Sequence, residues 1–78
     1  MDYKYVEILW EDHQSGSEWT TQNEIKEGKL PVMKTRGWVV HETDKHIVIV
    51  HTMDIIYTKV VLGDLWIIKS CIIGIKEL

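Results

Sequence analysis

Short apolar runs rich in β-branched and aromatic residues, separated by polar stretches, recur along this chain and predict strands. The opening run Tyr3 to Trp10 is rich in β-branched and aromatic residues, with Val6, Ile8 and Trp10 on one side and Tyr5, Glu7 and Leu9 on the other. Glu11 to Glu18 is polar and reads as a loop. Thr21-Gln-Asn-Glu24 has the form of a capping box, and Gly28 offers a left-handed stop, so one short helical turn is expected between them. Pro31 then breaks the chain ahead of a second β region, Val32 to Thr43, interrupted at Gly37.

Thr43-Asp-Lys45 suits a tight turn into His46-Ile-Val-Ile-Val-His-Thr-Met53, the most strand-like segment of all. With Asp44-Lys45 as a two-residue turn, Trp38 falls across from His51, Val40 from Ile49 and His41 from Val48. That register gathers Trp38, Val40, Ile47 and Ile49 on one face and Val39, Val48 and Val50 on the other. Apolar residues on both faces call for cover on both. One layer of so short a chain rarely supplies it, so the second face is expected to meet another subunit. Ile55 to Leu62 is apolar enough for a strand or a projecting arm, and Gly63-Asp64 reads as a turn. Leu65 to Ile68 reads as a strand, Lys69-Ser70-Cys71 as a tight turn and Ile72 to Ile75 as a final short strand. The expectation is all-β, about five strands, in a single domain spanning residues 1–78.

Composition narrows the class. Cys71 is the only cysteine, which rules out an internal disulfide and a cysteine-based zinc cluster. Charges at Asp2, Lys4 and Glu7 interrupt any apolar leader, and no run is long enough for a membrane span, so a soluble cytoplasmic protein is expected. Small cores gain burial from disulfides, metals or self-association, and self-association is the device left open. Net charge is −3. Residues 1–30 carry three lysines against seven acids, whereas residues 31–78 carry five lysines and Arg36 against five acids. The balance argues against generic nucleic-acid binding, which uses a clustered basic excess, but permits a compact anion held by a few local cations.

No catalytic constellation is present. Glu11-Asp-His-Gln-Ser15 holds the letters of a hydrolase triad, yet neighbours on one loop cannot align nucleophile, base and orienter. The four histidines lack metal-ligand spacing and read as strand or edge residues, so neither metal nor cofactor is expected. Four tryptophans in so short a chain are the less ordinary feature. Trp10 and Trp38 read as core. Trp19, between Glu18 and Thr20, is either a loop anchor or a recognition aromatic, and Trp66 suits either role. Arg36 supplies a planar fork for phosphate, Lys34 shares its side of an ideal strand, and Lys69-Ser70 sits at the closing turn. Trp19, Lys34, Arg36, Trp66, Lys69 and Ser70 are therefore the candidate ligand residues.

The ending Trp66-Ile-Ile-Lys-Ser-Cys-Ile-Ile-Gly-Ile75 resembles the close of an SH3-like barrel, in which a strand passes through one 3₁₀ turn into the last strand and a residue placed like Ile72 plugs the core. Many such barrels carry proline where this chain has Ile68. Across most of its length the chain also resembles a group of small phage-encoded proteins. The features shared are Val6-Glu-Ile-Leu-Trp10, the loop Trp19, Gly37-Trp38 before the acidic hairpin Glu42-Thr-Asp44, and the closing segment. Some small phage proteins of this size are anti-defence factors, among them oligomeric sponges that trap nucleotide immune signals. The resemblance thus implies a non-enzymatic homo-oligomer that sequesters a nucleotide in the host cytoplasm. The alternative is an interaction module that grips a host or virion protein through the SH3-like groove and the Ile55–Leu62 stretch.

Overall fold

The computed structural model describes residues 3–56 and 59–78. Five strands, β1 (Tyr5–Glu11), β2 (Val32–Glu42), β3 (His46–Met53), β4 (Val61–Ile68) and β5 (Ile72–Glu77), pair antiparallel in one sheet of order β4-β3-β2-β1-β5. The all-β expectation holds, including the 3₁₀ turn Lys69–Cys71 that delivers the chain into β5. One short helix, α1 (Gln22–Glu27), interrupts the β1–β2 connection. Thr21 caps it by accepting from the Glu24 backbone N–H at 3.1 Å. Gly28 ends it with φ −67°, so the left-handed stop expected there does not form.

The sheet curls on itself. Val6 and Ile8 of β1 share a core cluster with Ile47 and Ile49 of β3 and Ile67 of β4, although β1 and β4 are not hydrogen-bonded neighbours. Trp10, Val39, Leu65 and Ile72 pack against that cluster, so Ile72 does close the core at the start of the last strand. Trp10 is anchored there by its indole N–H, which donates to Thr35 Oγ1 at 3.0 Å. Fully burying each aliphatic side chain stabilises by about 1.5–3 kcal/mol, which makes this cluster the main source of stability.

The β2–β3 hairpin starts as expected and then departs from the regular register. Thr43 N–H donates to the His46 carbonyl at 2.8 Å, and Thr43 Oγ1 accepts from the backbone N–H groups of Lys45 and His46. Glu42 faces Ile47 and His41 faces Val48. The pairing then shifts by one, so that Val39 faces Ile49 and Trp38 faces Val50, with Val40 as the extra residue of a β-bulge. Because side chains alternate with a period of two, one inserted residue exchanges the faces beyond it. Val39 enters the core, and Trp38, expected in the core, stands on the outer face.

Two further expectations are corrected. Gly63-Asp64 is not a turn but lies inside β4, where Gly63 adopts φ +75° beneath the His51 ring. The connection from Asp54 to Val60 is instead closed by an Asp54 N–H to Val60 carbonyl bond of 3.0 Å, and β4 begins at Val61. Tyr57 and Thr58, part of the Ile55–Leu62 stretch, lie outside the described residues. Val48 and Val50 are buried within the single chain, between neighbouring strands that carry Trp38, His41 and Trp66. Cover for that face therefore does not require another subunit.

Gly37 permits the curl. A Cβ there would lie 2.7 Å from the Val50 carbonyl oxygen and 3.2 Å from the Ile49 Cβ, because the β3 backbone crosses at close range. A Cβ on Gly74 would meet nothing within 4 Å. Gly37→Ala should accordingly lower the urea unfolding free energy by roughly 1–3 kcal/mol, the range for overpacking. Gly74→Ala should change it by less than about 0.5 kcal/mol. Equal stability in the two variants would contradict the close crossing.

Candidate functional site

The outer face follows from the register. Tyr5, Glu7 and Leu9 of β1 stand opposite Trp38, Arg36 and Lys34 of β2, and Lys76 of β5 stands opposite Glu7 on the other side. Directly opposed residues of antiparallel strands project to the same face. Three cations thus surround one carboxylate on adjacent strands.

Arg36 holds that carboxylate through one oxygen. Its Nε–H donates to Glu7 Oε1 at 2.9 Å, and a terminal guanidinium nitrogen lies 2.9 Å from the same atom. The Glu7 side chain is largely covered, at 15% exposure, while that of Arg36 remains 59% exposed. The Arg36 hydrogen bond, aided by the charges of Lys34, Arg36 and Lys76, holds the Glu7 carboxyl below its ordinary value and outweighs the opposing effect of desolvation. Among the described residues neither Lys34 nor Lys76 has an ion-pair partner within bonding distance, so the cluster carries a net positive charge. Beside it the Tyr5 and Trp38 rings meet at 5.0 Å with a 57° tilt. The indole is half-buried and the phenol exposed, leaving ring surface accessible next to the cations.

A second aromatic group occupies the same face near the hairpin turn. The rings of His46 and Trp66 lie 5.2 Å apart, those of His41 and His46 5.7 Å, and those of His41 and Trp66 6.5 Å. The Trp66 indole N–H donates to Asp64 at 2.7 Å. His46 Nδ1 sits 3.2 Å from the Thr43 hydroxyl, whereas its Nε2 is covered without a hydrogen-bond partner. Among the described residues no three His, Cys, Asp or Glu side chains gather in a metal-binding group. No described helix is long and apolar enough to cross a membrane.

The six ligand candidates from the sequence separate in space. Lys34 and Arg36 belong to the cation cluster, and Trp66 to the histidine group. Lys69 is engaged with Glu42 at 2.6 Å, and Ser70 is exposed in the 3₁₀ turn. Trp19 stands fully exposed on the β1–β2 connection. Four residues around Arg36, namely Tyr5, Glu7, Trp38 and Lys76, were not among the candidates. Trp38 was assigned to the core by an unbulged hairpin, and Lys76 reaches Glu7 only because β5 returns to pair with β1. A hollow of about 450 Å³ lies along the β1–β2 connection, where Glu18 and Glu24 outnumber Lys29, an arrangement that repels anions. Compared with protein families, characterised proteins and solved structures, the chain matches none.

A depressed carboxyl pKa stabilises the fold fully above the unfolded value and loses that contribution as pH falls through the folded value. For Glu7, and for Glu42 held down by its Lys69 hydrogen bond, the loss therefore occurs below the ordinary value of 4.5. Carbon-detected NMR titration should find the Glu7 carboxyl titrating below 4.5 in the wild type. In Arg36→Gln it should titrate higher, and an unmoved titration would show that Arg36 does not control it.

Proposed function

We propose that this chain is a non-enzymatic, homo-oligomeric binding protein that sequesters a small anionic ligand of the nucleotide class. The observation that supports the reading is the cation cluster Lys34, Arg36 and Lys76 set beside the Tyr5–Trp38 pair. A nucleotide needs a cation for its phosphate and a flat apolar surface for its base, and the outer face offers both within one patch. Arg36 gives the phosphate a planar fork, Lys34 and Lys76 give it charge, and Trp38 with Tyr5 gives the base its platform. Trp66, with His41 and His46, adds a second aromatic group on the same face. The sequence resemblance to small phage-encoded anti-defence proteins supports this reading, in which the sponge acts in an infected host's cytoplasm and removes an immune signal by binding it.

A second reading rests on a different observation. Ile55, Ile56, Val60 and Leu62 are all largely exposed, an apolar flank that suits a protein partner. The two readings differ in what stabilises the protein. A sponge melts higher with a nucleotide, and an adaptor responds only to its protein partner.

Thermal shift against mono-, di- and cyclic nucleotides should identify at least one stabilising ligand. Calorimetry with that nucleotide should then show Arg36→Lys weakened at least several-fold with an unchanged circular dichroism spectrum, since lysine cannot reproduce the fork. Trp38→Ala should lose about 1–3 kcal/mol of binding if a base stacks there. Wild-type affinity in both variants would remove the site, and a wild type that binds no nucleotide would leave the adaptor reading.

A further inference from the structure

The β1–β2 connection is built as an arm. Its base is pinned where the Asp12 N–H donates to the Pro31 carbonyl at 3.0 Å, yet every residue from His13 to Leu30 is exposed. The molecule measures 54 × 22 × 20 Å, far longer than it is wide. Helix α1 buries none of its residues and has only six of them, too few to be stable in water on their own. Thr20 and Thr21 stiffen its first turn through Glu24, so the arm holds a shape without a surface to hold it against. It carries Trp19 wholly exposed, with Ile25 66% and Leu30 48% exposed.

We infer that this arm seats on the cationic outer face of a second copy of the chain. The inference rests on the homo-oligomeric part of the function proposed above. Charge selects the seat. Residues 12–31 carry Asp12, Glu18, Glu24 and Glu27 against Lys26 and Lys29, so two arms laid together repel. Lys34, Arg36 and Lys76, gathered around Glu7, present the opposite sign on strands that pair at the centre and edge of the sheet. Size agrees. Trp19, Ile25 and Leu30 offer about 400 Å² per arm, and a reciprocal exchange covering as much of each partner buries roughly 1,600 Å², a standard specific interface. Two-fold exchange also closes the assembly as a dimer. Arm and anionic ligand draw on the same cations, so each weakens the other's hold.

Sedimentation equilibrium on the full chain tests the inference. The wild type should show twice the 9.2 kDa chain mass, with the dimer weakening as salt rises. Trp19→Ala, the pair Glu18→Lys with Glu27→Lys, and the pair Lys34→Glu with Lys76→Glu should each weaken the dimer at least tenfold while keeping the wild-type circular dichroism spectrum. Combining the two charge-reversed pairs should restore it to within a few-fold of wild type, a recovery that a merely misfolded variant cannot give. A monomeric wild type, or four reversed charges that leave folded monomers, would overturn the arm exchange. A dimer indifferent to all of these variants would overturn it too, while leaving a homo-oligomeric nucleotide binder intact. Nucleotide binding by a monomeric wild type would separate the failure of the arm from the failure of the ligand.

Discussion

One extra residue in β2 decides what this protein shows to its surroundings. Between the tight Thr43–His46 turn and Trp38, the bulge at Val40 shifts the hairpin by a single position, and a strand shifted by one presents its other face. Val39 thereby reaches Ile49 in the core, and Trp38 turns outward to meet Tyr5. Without the bulge Trp38 would face the interior, and Arg36 and Lys34, on the same side of the strand, would turn inward with it. The tight turn itself sets His41 opposite Val48, within reach of His46 and Trp66, and the insertion brings Trp38 onto the same face. Two aromatic groups share one face because the strand between them is irregular.

The charge on that face depends on the order of strands. β1 lies between β2 and β5, so Glu7 is approached by Arg36 from one side and by Lys76 from the other. A single carboxylate among three cations stays ionised and gives the guanidinium a fixed orientation, yet leaves positive charge uncompensated. Exposed pairs of this kind add little to stability. In the proposed function, their arrangement beside accessible rings serves recognition and not stability.

Much of the fold was legible in the chain. Runs of β-branched and aromatic residues located β1 and β3, the Thr21–Glu24 signature located the helix, and the Lys69–Cys71 turn with Ile72 as closing residue appears where the ending suggested. What escaped the reading depends on geometry that spacing does not encode. A bulge leaves no residue signature at Val40, so Trp38 was assigned to the wrong face. Gly63 looked like a turn because glycine with aspartate usually marks one, whereas here its missing Cβ makes room for His51 within a strand. The burial of Val48 and Val50 was legible, but its cover within one chain was not, since a regular hairpin gave no sign that Trp38 and Trp66 would flank them. Lys34 and Arg36 were found from residue type and strand parity alone, but Lys76 required knowing that the last strand returns to the first.

The anion-and-base site proposed on the Arg36 face can be followed residue by residue by NMR. Nucleotide added to ¹⁵N-labelled protein should shift the Arg36 Nε–H and Trp38 indole N–H signals together with the amides of Glu7, Lys34 and Lys76. The amides of Ile55 and Ile56 on the apolar flank should stay in place. A spectrum unchanged at saturating nucleotide, or changes confined to that flank, would contradict the account.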